Sequence, residues 1–137
     1  MLGTTKVITL EAAKKMAAAG EAEARKNGWN VAITVVDANG DLILFQKLDE
    51  TQPGSIGVSQ GKARAAALFK RPSKALEEAI AGGKAGFLTV EGIVPIQGGV
   101  PVVVEGKVIG AVGVSGVTSA QDEQVALAAT GVLEKSA

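Results

Sequence analysis

The stretch from Gly98 to Gly116, GGVPVVVEGKVIGAVGVSG, contains two runs of β-branched and aliphatic residues. The runs are Val100–Glu105 and Val108–Val114, and both are rich in residues that favour strands. Only Gly106-Lys107 separates them, and a connection this short joins antiparallel strands in a β-hairpin. The stretch therefore predicts a hairpin around which the rest of the chain is organised.

Glycine brackets both outer ends of this hairpin. Gly98 and Gly99 precede the first run, and Gly113 and Gly116 lie on either side of Ser115 after the second. Glycine is favoured where φ is positive or where another backbone or a ligand approaches closely. Because a hairpin brings its two outer ends together, we expect these glycines to form either the mouth of a site or plain turns and bulges.

The residues flanking the hairpin predict further helices and strands. In chain order they are a helix from Leu10 to about Lys26, a hairpin of Val31–Asp37 and Leu42–Lys47 around an Asn-Gly turn, helices from Ile56 to Phe69 and from Ser73 to Ala81, a glycine-rich connection entering a strand near Val94 or Ile96, and a last helix after Thr118. Hairpins, rather than alternating strands and helices, indicate an antiparallel sheet. We therefore expect an α+β fold in which helices cover the sheet.

Hydroxyl side chains precede or begin each predicted helix. Thr9, Ser55 and Ser73 are candidate N-caps, and Thr118 with Gln121 fits a capping box. These residues predict where the helices begin.

Composition excludes much of enzyme chemistry. The 137 residues include no Cys and no His, which excludes disulfides, thiolate nucleophiles, Cys/His zinc sites and imidazole bases. The 14 basic residues balance the 14 acidic ones, and aromatic residues make up 3%, so we expect no nucleic-acid binding. The length and the 47% hydrophobic content predict one domain over residues 1–137 with a core of Ala, Val, Ile and Leu.

No segment has the unbroken apolar length of a membrane span or the pattern of a signal peptide. The sequence therefore predicts a cytoplasmic protein without a membrane partner. The glycine-rich stretches match neither the dinucleotide fingerprint nor the P-loop, and no metal site is expected.

Three charged residues are the candidates for chemistry. Lys62 shares one side of a predicted helix with Ser59, so it could present a cation to a carboxylate or phosphate, or it could be a surface lysine. Asp37 ends a strand before a turn, where an Asx hydrogen bond is the simpler role. Asp122 lies in the first turn of the last helix, where the helix dipole alone can explain a carboxylate.

The segments VDANGDLILFQKLD, GKARAAALFKRPSKALEEA and IQGGVPVVVEGKVIGAVGVSG, followed by QDEQVA, resemble the GlcG/HbpS family, which includes the C-terminal domain of PduO-type proteins. The match covers essentially the whole chain. The positions that match the family motifs are Asp37, Gly40, Phe45, Lys62, Phe69, Gly98, Gly99, Pro101, Gly110, Gly113, Ser115, Gly116 and Asp122.

The resemblance implies a five-stranded antiparallel sheet flanked by helices, in a profilin-like α/β/α layout that assembles into tetramers or octamers. Members occur in glycolate- and diol-utilisation operons, and some bind haem or are credited with haem degradation. Haem is therefore the cofactor that the resemblance implies. Its usual strong axial ligands are His, Cys, Met and Tyr, and of these the chain offers only Met1 and Met16.

Three functional hypotheses follow. In the first, the protein binds a small ligand, either haem or a small carboxylate, at a site made of Asp37, Phe45, Ser59, Lys62, Gly98, Gly99, Ser115, Gly116 and Asp122. In the second, it is an enzyme acting on a small hydroxy or oxo acid through carboxylate and lysine chemistry, with Asp37 or Asp122 as the base. In the third, it is an assembly or accessory protein whose small-residue helix faces pack between subunits.

Overall fold

The computed structural model describes residues 1–136, with the side chains described as far as residue 134. Its helices are α1 (Leu10–Asn27), α2 (Ser55–Phe69), α3 (Ser73–Ala81) and α4 (Ser119–Ser136), and its strands are β1 (Ala32–Asp37), β2 (Leu42–Lys47), β3 (Gly99–Val104) and β4 (Lys107–Ser115). A 3₁₀ helix spans Ala85–Thr89. No helix within residues 1–136 is both long and apolar enough to cross a membrane.

The strands form an antiparallel sheet in the order β2-β1-β4-β3. The central hairpin is β3-β4, and Gly99 pairs with Gly113, so its two glycine-rich ends do lie side by side. Strand β1 pairs with β4, which places Ala32 opposite Ser115. The predicted α+β class and the antiparallel sheet are confirmed, but residues 1–136 form four strands, so the expectation of five is wrong.

The missing strand is the one expected near Val94 or Ile96. The backbone N–H of Val94 donates to the carbonyl of Gly61 in α2 at 3.0 Å, and that of Ile96 donates to the carbonyl of Val94 at 2.9 Å. These donors bond to a helix and to the segment's own carbonyl, and a sheet ladder requires them to pair with a neighbouring strand. Residues 94–96 therefore pack on α2 as a strap across the helix.

The two faces of the sheet are covered differently. Helices α1 and α4 cover one face, where Met16, Ile33 and Val125 belong to the main apolar core. On the opposite face α2 packs against β1, β3 and β4, and a smaller apolar cluster forms between α2 and strands β1 and β4. Strand β2 lies at the edge of the sheet, beyond the strands that α2 covers.

The helix ends confirm some of the predicted caps. Thr9 accepts a hydrogen bond from the Ala12 N–H at 3.1 Å, and Thr118 and Gln121 form the reciprocal capping box at 3.3 Å each. Ser55 and Ser73 are wrong as N-caps, because each is the first residue inside its helix and neither helix has a side-chain cap. Both hydroxyls form buried hydrogen bonds to other segments, and those bonds determine their orientation.

Candidate functional site

Lys62 lies at the centre of a buried cluster of predicted site residues. Its side chain is 2% exposed, and its ammonium donates to Asp122 Oδ2 and to the Val114 carbonyl, at 3.0 Å each. The second oxygen of Asp122 accepts from the Val117 N–H at 3.1 Å. The pair joins α2 to the start of α4 and to the end of β4. Its charges therefore neutralise each other inside the protein, and neither faces an opening.

Burial shifts the pKa of Asp122. Removing its carboxylate from water raises its pKa above the usual value, and the Lys62 charge together with the Val117 N–H opposes part of that rise. Asp122 is the kind of group that could act as a base, but its oxygens are already engaged by two donors. In this arrangement it stabilises the structure by holding Lys62.

The glycines around the cluster permit backbone contact. A Cβ at Gly98 would lie 2.7 Å from Lys62 Nζ, and one at Gly99 would overlap the Lys62 backbone. A Cβ at Gly113 would overlap the Ser59 carbonyl, and one at Gly116 would overlap the Asn30 carbonyl. Real Cβ atoms do not approach neighbours this closely, so these positions require glycine. The glycine-rich ends are filled by protein, and the space that a ligand would need there is occupied by Lys62, α2 and, at Gly116, the Asn30 backbone.

Ser59 and Ser115 complete the buried polar layer between α2 and the sheet. Ser59 lies 2.9 Å from the Thr34 hydroxyl, and Ser115 donates to Ser55 at 3.1 Å. Within the described residues, no buried side-chain nitrogen or oxygen lacks a hydrogen-bond partner. The structure thus brings together Ser59, Lys62, Gly98, Gly99, Ser115, Gly116 and Asp122, but as a closed network.

Asp37 and Phe45 are not bonded into this network. Asp37 Oδ1 accepts from the N–H groups of Asn39 and Asp41 at 2.9 and 3.0 Å, which is the predicted Asx arrangement of the β1-β2 turn. Phe45 lies on edge strand β2, opposite Thr34, and is half-buried. As the partner of Thr34, Phe45 is on the face of the sheet that α2 packs against.

An open groove lies where α2 stops covering the sheet. It has a volume of about 160 Å³ and is lined by Thr34, Val36, Gly40, Asp41, Leu42, Gln60 and Arg64. Its floor consists of β1 and the start of β2, and its wall consists of Gln60 and Arg64, which are one helical turn apart on α2. The groove combines apolar surface with a cation, a carboxylate and an amide.

Arg64 is the cation of this groove. Its Nε donates to the Gly92 carbonyl at 3.1 Å and its Nη1 to the Gly40 carbonyl at 3.0 Å. Within the described residues it forms no salt bridge, so these two bonds hold a charged guanidinium in place without neutralising it. A guanidinium has five N–H donors, and it therefore retains donors for an anionic ligand.

Sequence reasoning missed Gln60 and Arg64. A signal was available, because both lie four residues apart in a helix that otherwise consists mainly of Ala, Gly and small apolar residues. That spacing places two polar side chains on one helix face, but only the sheet order shows that this face borders the uncovered strand β2.

The N-terminal segment lines a second opening. A cavity of about 330 Å³ lies between this segment and the β1-β2 turn, with Lys6, Ile8, Asp37, Asn39 and Ile109 among its lining residues. Lys6 is paired with Glu105 at 3.0 Å on the surface. This opening therefore contains no cation comparable to Arg64.

The side chains available as axial ligands decide whether haem could be bound inside the protein. Met16, the one internal methionine, is fully buried in the main core, and Lys62 is held by Asp122. Within the described residues, no group of three or more Asp or Glu side chains is arranged to hold a metal ion. A haem bound through a strong internal axial ligand therefore does not fit these residues.

A family model and a sequence relative both match most of the chain. The family model described as "Haem degrading protein HbpS-like" matches residues 8–131. Protein GlcG of Escherichia coli (strain K12) is 46% identical over 112 residues, which is 82% of this chain and 84% of that protein.

Two solved structures show the same fold. A double mutant of HbpS from Streptomyces reticuli superposes with a TM-score of 0.88 at 34% identity, covering 96% of this chain and 90% of that one. A structure titled as the PduOC:Heme complex gives a TM-score of 0.83 at 22% identity, covering 92% and 94% of the two chains. At that identity the second likeness concerns the fold alone.

Proposed function

The chain belongs to the HbpS-like family, and on that premise we propose that it is a small-ligand-binding protein whose ligand is a small carboxylate held in the α2/β2 groove. Family membership supports a ligand-binding role. The groove supplies the position, because it is open and has both an apolar floor and a polar wall.

One observation carries the proposal. Arg64 is a fixed guanidinium without a salt bridge among the described residues, and it lines an open groove. Lys62, the cation that the sequence suggested, would have to leave Asp122 before it could bind a ligand. Because breaking a buried ion pair is costly, Arg64 is the better anchor for a carboxylate.

Haem is the second candidate. The description of the family, which names haem, favours it. Since a strong internal axial ligand does not fit, haem would be held at the surface, with Arg64 available for a propionate. The groove alone, at about 160 Å³, is small for a macrocycle, and this favours the small carboxylate.

The enzyme and assembly hypotheses receive less support. Both candidate bases, Asp37 and Asp122, already accept two hydrogen bonds from the protein. The small-residue face of α1, which includes Ala13 and Ala17, is buried against the main core. We retain a homo-oligomer as part of the proposal, since it is compatible with ligand binding.

Thermal unfolding with a panel of ligands tests the proposal. We expect small carboxylates to raise the melting temperature, because a ligand at 100 times its Kd stabilises the folded state by about 2.7 kcal/mol. This stabilisation should disappear in Arg64→Gln and persist in Arg71→Gln, which removes an exposed guanidinium outside the groove.

A parallel titration with haemin, followed by absorbance, tests the second candidate. A saturable one-site change that is lost in Arg64→Gln and that small carboxylates do not reduce would favour haem over the carboxylate as the ligand of the groove. In the thermal-unfolding test, a carboxylate-induced rise in melting temperature that is lost in Lys62→Met but retained in Arg64→Gln would instead indicate that the ligand binds at the buried Lys62 cluster.

A further inference from the structure

The groove contains two opposite charges that do not neutralise each other. Arg64 lies on the α2 wall and Asp41 in the turn just before β2, and both line the same cavity. Neither forms a salt bridge within the described residues, although the Nη1 of Arg64 bonds to the carbonyl of Gly40, the residue before Asp41. A cation and a carboxylate therefore border one opening and leave a gap between them.

From this juxtaposition we propose that the ligand is a zwitterion, a short-chain α-amino acid whose carboxylate binds Arg64 and whose ammonium binds Asp41. The inference rests on the proposed function, since it names the class of carboxylate that the same groove takes. It adds Asp41, a second residue lining the same cavity, as a second recognition point.

Charge balance favours a zwitterion over a simple anion. A plain carboxylate satisfies Arg64 but leaves Asp41 facing a second negative charge, and like charges at short range are unfavourable. A dicarboxylate or a phosphate increases that repulsion. An α-amino acid has one positive and one negative group attached to the same carbon, so Arg64 and Asp41 can each meet a group of opposite charge.

The size and lining of the groove limit the side chain. At about 30 Å³ of liquid volume per water, a cavity of about 160 Å³ has room for about five waters. The floor includes Val36 and Leu42, and Gln60 supplies an amide that can donate and accept. These features suit glycine, alanine or serine, and a larger side chain would extend out of the groove.

Calorimetric titration of the full chain with matched pairs of ligands tests the inference. The pairs are L-alanine with L-lactate and glycine with glycolate, which differ only in ammonium against hydroxyl. We expect each amino acid to bind about tenfold or more tightly than its hydroxy acid, the size of one charge-assisted hydrogen bond.

Two variants separate the recognition points. Asp41→Asn should remove the preference for the amino acid while leaving binding of the hydroxy acid unchanged or tighter, and Arg64→Gln should weaken both. Asp49→Asn and Arg71→Gln, which change exposed residues outside the groove, should leave both affinities unchanged. Arg64→Lys keeps the positive charge but loses the guanidinium's bonds to the Gly40 and Gly92 carbonyls. It therefore separates the loss of the charge from the loss of these bonds.

The outcomes distinguish the two levels of the proposal. Equal affinity for alanine and lactate, or a preference that survives Asp41→Asn, would overturn the zwitterion while leaving a carboxylate site. Absence of binding by any of the four ligands, with no effect of Arg64→Gln on thermal stability in their presence, would overturn the groove as the site altogether.

Discussion

At the scale of single residues, Lys62 shows how a feature that suggests a ligand site can be structural. Helical spacing placed Lys62 and Ser59 on one side of α2, and the structure shows that this side faces the sheet and that Lys62 is buried, so the surface-lysine alternative is wrong. The sequence could not show that Asp122, 60 residues further on, reaches the ammonium, because that contact depends on how α4 returns to the end of β4. A buried lysine whose ammonium is held by a carboxylate and a backbone carbonyl acts as a structural group as long as these partners stay in place.

The first prediction concerns this pair. Lys62→Met should lower the free energy of unfolding by about 3 to 5 kcal/mol at neutral pH, because it leaves the Asp122 carboxylate buried without its cation. The loss should shrink as the pH falls, since burial already raises the pKa of Asp122 and a protonated carboxyl needs no cation. Urea unfolding at several pH values measures both effects.

The double variant Lys62→Met/Asp122→Asn provides the control. It removes both charges and keeps an oxygen for the Val117 N–H, so its destabilisation should be smaller than the sum of the two single changes by about 0.5 to 3 kcal/mol. Strict additivity would show that the pair is not energetically coupled and would contradict the role assigned to it.

At the scale of elements, the sequence predicted the strands and helices whose signals are local. The Asn-Gly turn, the short link in the central hairpin and the caps at Thr9 and Thr118 predicted both hairpins and two helix starts, because each depends on residues close in sequence. The position of the second turn was wrong by one residue: Val104 pairs with Lys107, so the turn is Glu105-Gly106, both with positive φ, and Lys107 begins β4. The strap over α2 could not be predicted in this way. Its apolar residues resemble a strand, and only the contact between Val94 and Gly61 decides its conformation.

The second prediction compares two glycines of the same helix. A Cβ at Gly61 would lie 2.9 Å from the backbone N of Val94, whereas a Cβ at Gly57 would meet nothing within 4 Å. Gly61→Ala should therefore displace the strap and lower the free energy of unfolding by about 1 to 3 kcal/mol. Gly57→Ala should raise it by up to about 1 kcal/mol, through its higher helix propensity. Chemical denaturation of both variants checks the contrast, and equal effects would mean that the strap does not pack on α2 as described.

At the scale of the whole molecule, the groove arises from an uneven covering of the sheet. Helices α1 and α4 cover one face, while α2 covers only β1, β3 and β4 on the other, which leaves the α2 side of β2 open. The family resemblance predicted the fold class and the layout of helices around the sheet. It could not place the opening, because sheet order and helix position are set by long-range packing. Arg64, Gln60 and Asp41 acquire a common role only through that arrangement.

The last prediction concerns association. Two leucines are exposed at or near the groove. Leu42, on the groove floor, is 57% exposed. Leu68 is 40% exposed and lies next to the groove residue Gly40. The net charge is zero, so little electrostatic repulsion opposes self-association. We therefore expect sedimentation equilibrium to give a multiple of the 13.8 kDa chain mass.

The position of the association surface can be tested with matched leucines. Leu68→Glu should shift the chain towards monomer, because association would then bury an unpaired carboxylate. Leu127→Glu changes a leucine that is 52% exposed on α4, across the sheet, and should leave the mass unchanged. Since apolar burial drives such contacts, added salt should not dissociate the oligomer. A monomeric wild-type chain at every concentration would contradict the expected oligomer, and dissociation by Leu127→Glu alone would move the interface to the α1/α4 side.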